Sequence, residues 1–253
     1  MNFDFRDKVV LVTGSSRGIG KVIAQAFARN KAKVIIHYKE NHIAAEEAFR
    51  SILPGKHALA QADLNDGEEV RKMINKIISE YERIDVVVNC AGISELHSVE
   101  KTPYLDWQKA WQRTLQTNLI GPSNVCYCAA QYMIQQGSGR IVNVSSRGAF
   151  RGEPNMPAYG ASKAGLNAMS QSLALALAPH NVFVGVVAPG FVQTERHRDI
   201  LEGASGERVR QQSPIGRIAQ AEEVANAVLF LAAPGTEYMT GTIIDVNGAS
   251  HLR

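Results

Sequence analysis

Tyr159 and Lys163 stand four residues apart in a stretch, 158–178, whose pattern predicts a helix. Positions four apart share a helix face, so the phenol and the ammonium can lie side by side. A free tyrosine titrates near ~10, too high to exchange protons well at neutrality. An adjacent cation stabilises the phenolate and lowers that value. Thirteen residues before Tyr159, Ser146 follows the apolar run Ile141–Val144 and Ser145. A strand's carboxyl end is where open α/β sheets place ligands, and a serine hydroxyl there can hold a substrate oxygen. The trio suits proton exchange with an oxygen atom. A Tyr and a Lys four apart, without that serine, would usually mean no more than a solvated helix face.

A second cluster suits a phosphate. Val9–Val12 runs into Thr13-Gly14-Ser15-Ser16-Arg17-Gly18-Ile19-Gly20, which opens a helical stretch reaching Asn30. Glycines let the backbone turn tightly and let a phosphate approach, and the helix start offers free N–H groups. The spacing Gly-x3-Gly-x-Gly alone marks only a tight strand-to-helix turn. Its place in the first strand–helix unit favours a nucleotide.

These residues need a frame. Val9–Val12, Val34–Ile36, Val86–Val88, Ile141–Val144, Val182–Val187 and Ile243–Val246 are short and mostly β-branched, with His57–Gln61 weaker. Consecutive apolar residues suit strands buried on both faces of a parallel sheet. Helical stretches lie between them: 18–30, 41–51, 67–81, a long one at 107–136, 158–178 and 221–232. The alternation predicts an α/β fold, a Rossmann-type doubly wound parallel sheet of about seven strands with helices on both faces. No repeat or linker divides residues 1–253, so one domain is expected. The polar stretch within 193–213 reads as an excursion that could serve as a substrate lid.

Composition sets limits. Against 24 Asp and Glu stand 27 Lys and Arg, a net charge of +3, too small a bias to argue for nucleic acid or an acidic membrane. Three cysteines (Cys90, Cys126, Cys128) argue against a disulfide framework and for a reducing compartment. Met1 to Lys8 carries no apolar signal, and no apolar run approaches the ~20 residues of a membrane helix. Cytoplasmic is the expectation. His97 and His197 lack companion ligands at fixed spacing, so no metal is assigned.

Taken together, these residues resemble the short-chain dehydrogenase/reductase family, over nearly the whole chain. Thr13-Gly14-x3-Gly18-Ile19-Gly20 matches its cofactor turn, with Ser16 and Arg17 inside it. Asp63-Leu64 matches its adenine-contacting Asp. Asn89-Cys90-Ala91-Gly92 matches its Asn-Asn-Ala-Gly element, with Cys for the second Asn. Asn118, Ser146, Tyr159 and Lys163 match its catalytic set. Pro189-Gly190, with Val192 and Thr194, matches the segment that holds the nicotinamide carboxamide. The resemblance implies a nicotinamide-dependent interconversion of a ketone and a secondary alcohol. Tyr159 would protonate the alkoxide, Ser146 polarise the carbonyl, Lys163 tune Tyr159 and bind the ribose, and Asn118 hold a water linking Lys163 to solvent.

An acidic residue ending the second strand would bind the adenosine ribose and repel a 2′-phosphate. Here Tyr38 takes that place, followed by Lys39, and Arg17 adds a second cation. A phosphate between Arg17 and Lys39 would gain charge-assisted hydrogen bonds, which favours NADP(H). Glu40, turned inward, would admit NAD(H).

The nearest subgroup in look is the 3-oxoacyl-carrier-protein reductases. Their basic docking positions correspond here to Gln135, Gln136 and Gly137, then Gln171, Leu175 and His180. Complementarity to an acidic acyl carrier protein is therefore weak, and the expected substrate is a 3-oxoacyl thioester or another small-molecule carbonyl. Glu95, His97 and Glu100 extend the segment after Gly92. Phe150, Glu153, Met156, Phe191, His197 and Arg198 are further candidates for the substrate pocket. Arg147 or Arg151 could meet an anionic substrate group; otherwise both are loop charges facing water.

The resemblance also implies a homotetramer paired through two long helices and the last strand. Leu166, Met169, Leu173 and Leu177 recur at helical spacing, and Leu175 widens that apolar surface. A non-catalytic NADP(H)-binding sensor or subunit is the alternative reading.

Overall fold

Runs of consecutive apolar residues become strands covered on both faces. The computed structural model describes residues 3–195 and 203–253. In it, β1 (Val9–Val12) and β4 (Val86–Asn89) are buried at every position. The other strands are β2 (Lys33–Tyr38), β3 (Ala58–Gln61), β5 (Gly139–Val144), β6 (Val182–Pro189) and β7 (Ile243–Val246). All pair in parallel, in the order β3-β2-β1-β4-β5-β6-β7. The chain winds outward from β1 in one direction and from β4 in the other. A crevice therefore opens above the β1/β4 boundary, where such sheets bind ligands.

The period-2 alternation of each strand feeds two cores. Val10, Val12, Ile36 and Val88 face α1 (Gly18–Arg29) and α9 (Ala221–Ala232), where Ile23, Phe27, Val228 and Leu229 meet them. Val9, Leu11, Ile35 and Val87 face α3 (Gly67–Tyr81) and α5 (Gly121–Gln136), against Ile74, Ile77, Val125 and Met133. The remaining helices are α2 (His42–Arg50), α4 (Tyr104–Leu115), α6 (Gly148–Arg151), α7 (Pro157–Leu177) and α8 (Gly203–Arg210).

The expected continuous helix over 107–136 differs in one respect. It starts at Tyr104 and is interrupted by a π-helical turn, Gln116–Ile120, between α4 and α5. Period alone does not show such a turn, which holds Asn118 buried against Ile93 and Ser162. The short α6 and α8 carry too few periodic apolar residues to be expected from the sequence. Residues 196–202, which include His197, Arg198 and part of the expected lid, lie outside the described residues. The roots of that excursion are fixed: Val192 bridges Ala219, and the Ser213 hydroxyl donates to the Gly248 carbonyl at 2.7 Å. Among the described residues, no helix is long and apolar enough to cross a membrane.

Candidate active site

The glycine turn leaves β1 with Gly14 at φ +63 and Gly18 at φ +56, a region that disfavours side chains. A Cβ on Gly14 would lie 2.7 Å from the Ala91 Cα, so the turn packs directly on the segment after β4. Gly20 is as constrained, its missing Cβ 2.5 Å from the Gly14 carbonyl oxygen. Arg17 caps α1 with extended backbone and no side-chain bond, and the first turn holds no acid. Its leading N–H groups, with Ser16 and Ile19 alongside, are therefore available to an anion.

His37, unnoticed in the sequence, ties this turn to β2. The Gly14 N–H donates to His37 Nδ1 at 3.0 Å, so Nε2 carries the proton and donates to the Ala62 carbonyl, also at 3.0 Å. The ring is buried, and burial pushes its pKa down to about 4. Thr13 does similar work at β4, its hydroxyl oxygen accepting from the N–H groups of Cys90 and Ala91 at 3.0 and 3.1 Å. Asn89 is buried and donates to the Asn143 side-chain oxygen and to the Cys126 sulfur, acting as a strut at the end of β4.

Opposite the turn, Gly92 faces Asn118 and Lys163. A Cβ there would stand 3.2 Å from Asn118 Oδ1 and 3.7 Å from Lys163 Nζ. The π-helical turn presents Asn118 inward. Its Oδ1 accepts from the Ile93 N–H at 2.8 Å, while its Nδ2 donates to the Ile93 carbonyl and to Ser162 Oγ. Lys163 is only 6% exposed, and Nζ donates to the Val144 carbonyl at 2.8 Å. Burial pulls its pKa down to about 8. The ammonium lies 5.9 Å from the centre of the Tyr159 ring. Ser146 sits between β5 and α6, its hydroxyl oxygen accepting from the Gly148 N–H at 3.0 Å. His97 is buried, and its Nε2 accepts from the Ala158 N–H at the start of α7, one residue before Tyr159.

The segment after β6 closes the other side. The Gly190 N–H bonds the Val246 carbonyl, Pro189 accepts from the Arg147 N–H, and Val192 is buried. Thr194 Cγ2 would lie 3.8 Å from a Cβ on Gly18, so this segment faces the glycine turn.

At the far end, Tyr38 is buried and pairs with His42 Nδ1 at 2.8 Å. Lys39 reaches Asp63 at 2.9 Å and Glu40 at 3.5 Å, and the Asp63 carboxylate holds the Lys39 pKa above its ordinary value. Lys39 is thus already shared between carboxylates. Arg17 is exposed and ion-pairs with no described residue. Leu64 is buried, its Cβ 3.1 Å from the position a Cβ on Gly121 would take.

Arg147 is 4% exposed, which overturns the expectation that it faces water; Arg151 is exposed, as expected. Glu95 pairs with Arg113 at 2.7 Å. Gln135, Gly137, Gln171, Leu175 and His180 are all exposed, so the region matching the basic docking face carries no Lys or Arg at these positions. Among the described residues, no His/Cys/Asp/Glu group could hold a metal ion.

This arrangement defines a doubly wound dinucleotide-binding protein with a tyrosine–lysine pair in its crevice. The comparisons agree. A family model described as enoyl-(acyl carrier protein) reductase matches residues 14–251. The 3-oxoacyl-[acyl-carrier-protein] reductase of Aquifex aeolicus is 38% identical, over 98% of this chain and 99% of its own. That of Thermotoga maritima is 37% identical, over 95% and 96%. A short-chain type dehydrogenase/reductase structure from Mycobacterium ulcerans superposes with a TM-score of 0.91 at 28% identity, covering 98% of this chain and 90% of its own. The chain belongs to the short-chain dehydrogenase/reductase family. It is a nicotinamide-dependent oxidoreductase that interconverts a ketone and a secondary alcohol. The residues present fit such a cofactor: the α1 start is free of acids, and Gly18 and Gly92 keep the crevice open where side chains would project.

Proposed function

We propose that the protein is a cytoplasmic NADP(H)-dependent reductase in which Tyr159 delivers the proton to the carbonyl oxygen. The observation that carries this reading is the buried Lys163 ammonium beside Tyr159 and behind Gly92. A cation in a poorly solvated position stabilises a phenolate more than a solvated one does. When bound, the cofactor supplies the hydride. Ser146 orients and polarises the carbonyl. As negative charge grows on its oxygen, Tyr159 gives up a proton, and Lys163 stabilises the phenolate left behind. Lys163 also binds the nicotinamide ribose, and Asn118 anchors the water path that reconnects Lys163 with solvent.

Gly14, Ser16, Arg17, Gly18, Ile19 and Gly20 form the pyrophosphate cradle. Asp63 and Leu64 border the adenine, with Tyr38 and Lys39 beside its ribose. Asn89, Ala91 and Gly92 line the crevice, and Pro189, Gly190, Val192 and Thr194 hold the carboxamide. For the 2′-phosphate, Arg17 is the principal ligand, because Lys39 is already held by Asp63 and Glu40. No acid ends β2, where Tyr38 is tied to His42, and that favours NADP(H).

The relatives named 3-oxoacyl-[acyl-carrier-protein] reductases support a 3-oxoacyl thioester or a small ketone as substrate. The exposed, uncharged positions along α5 and α7 argue against docking of an acidic carrier protein. Exposed Tyr127 on α5 and Leu175 on α7 support a homotetramer paired through those helices. One domain over residues 1–253, with a substrate lid rooted within 193–213, completes the reading.

The test is oxidation of NADPH and of NADH by wild-type and Tyr159→Phe protein, against ketones and 3-oxoacyl thioesters. Turnover favouring NADPH, reduced at least ~100-fold in the Phe variant while NADPH still binds, is the expected result. A clear NADH preference overturns the cofactor assignment. Unchanged turnover in the variant overturns the role of Tyr159. Binding of NADPH without turnover of any substrate points to the sensor.

A further inference from the structure

Next to Ser146 lies a buried cation that closes no ion pair with a described residue. Arg147 is 4% exposed, and among the described residues no carboxylate comes within 4 Å of its guanidinium. Its Nη2 donates to Gln212 Oε1 at 2.5 Å, and the guanidinium lies 4.8 Å from the centre of the Phe191 ring. Arg151 donates to the same oxygen at 3.2 Å. Two guanidinium groups thus converge on one neutral amide oxygen, where each would gain far more from an anion. The nearby carboxylates are engaged elsewhere: Glu223 with Arg217 at 2.7 Å and Asp245 with Arg253 at 2.9 Å. Glu153 faces Gly148 and acts on Arg147 only at longer range, closing no ion pair with it.

The surroundings match a substrate subsite. Arg147 and Phe191 line a cleft shared with Ser213, Asn247 and the carboxylates Glu223 and Asp245, whose charges are taken up by Arg217 and Arg253. Arg147 follows Ser146 in the chain, and Phe191 follows Gly190, so the cleft borders the carbonyl site and the carboxamide segment of the proposed function. Gln212 is exposed and sits just beyond α8, at the end of the excursion. It can be displaced without unpacking the core.

We propose that Arg147 and Arg151 form a receptor for an oxyanion carried by the substrate, a carboxylate or a phosphate, with Gln212 holding its place until the substrate binds. The proposal rests on the reductase reading above and adds the substrate's charge class. The arriving oxyanion replaces Gln212 Oε1 with two oxygens for two guanidinium groups.

The test uses matched pairs: acetoacetate against its methyl ester for the carboxylate, and dihydroxyacetone phosphate against dihydroxyacetone for the phosphate. The wild type should favour one anionic member over its neutral partner. Gln212→Glu, which supplies an internal carboxylate, should lower that anionic-to-neutral ratio of kcat/KM at least ten-fold; Arg147→Lys should lower it as well. A mere latch between α6 and the excursion predicts the opposite for Gln212→Glu: a strengthened tie and an unchanged ratio. Calorimetric titration of inorganic phosphate and of acetoacetate into protein saturated with NADP+, which fills the anion site at the start of α1, gives a readout free of turnover. Binding to the wild type, lost in Gln212→Glu, supports the receptor even where no ketone is reduced, and then only the reductase reading fails. No binding of either probe, or equal binding to both proteins, overturns the receptor.

Discussion

Two buried bases flank the crevice, and each leaves a signature in the pH dependence of stability. His37 is neutral because burial drops its pKa from 6.5 to about 4. Between those values the unfolded chain binds a proton that the folded protein does not, so stability falls as pH drops through the window, by up to about 3 kcal/mol. Protonation would also turn Nδ1 into a donor and break its bond with the Gly14 N–H. Lys163 behaves alike at the alkaline end, where burial lowers its pKa from 10.5 to about 8. The folded protein again holds fewer protons, so stability rises with pH from about 8 toward 10.5. Denaturant unfolding across pH should show both slopes in the cofactor-free protein. His37→Gln should flatten the acid limb and Lys163→Met the alkaline one. Limbs that persist in these variants would assign the slopes to other groups.

Among the elements, the two positive-φ glycines of the first turn do different jobs. At Gly14 an added methyl meets the Ala91 backbone; at Gly18 it meets only a methyl of Thr194, at 3.8 Å. Gly18→Ala should therefore cost about 1–2 kcal/mol of stability, from backbone conformation alone, and raise the KM for NADPH. Gly14→Ala should cost more, because backbone must move as well. Equal melting temperatures for the two variants would contradict this difference. The strands were legible from sequence because consecutive valines and isoleucines demand cover on both faces. The glycine turn and the Ser146–Tyr159–Lys163 spacing were legible because they are local. His37 and His97 were not, since each works by accepting a backbone N–H from a segment remote in sequence. The burial of Arg147 was hidden for the same reason: its contacts, Phe191 and Gln212, are remote from it in sequence.

For the whole molecule, the exposed apolar residues separate two surfaces. Leu175 is 82% exposed on α7 and Tyr127 68% exposed on α5, and neither lines the Arg147 cleft. Large apolar side chains left outside a well-filled core are available to a second copy of the chain. Light scattering should show a tetramer for the wild type and smaller species for a Leu175→Glu, Tyr127→Glu double variant, with circular dichroism unchanged. A wild-type monomer, or a double variant that stays tetrameric, would show that these helices do not carry the assembly. The central strands make no such demand, since both their faces are already covered by helices, whereas β7 at the edge is only partly buried.

The π-helical turn at Gln116–Ile120 sets a phase. An α-helix advances about 100° per residue, and one surplus residue delays everything downstream by that angle. Upstream of the delay, the helix is timed to α7; downstream, it is timed to the sheet, with Val125, Ala129 and Met133 arriving at the core together. Asn118 occupies the beat between the two rhythms. Removing a single residue there would be a three-dimensional frameshift, leaving every codon in register and every later side chain of α5 out of it. The exposed turn at Leu53–Lys56 has no such clock to keep, and its length is free to drift.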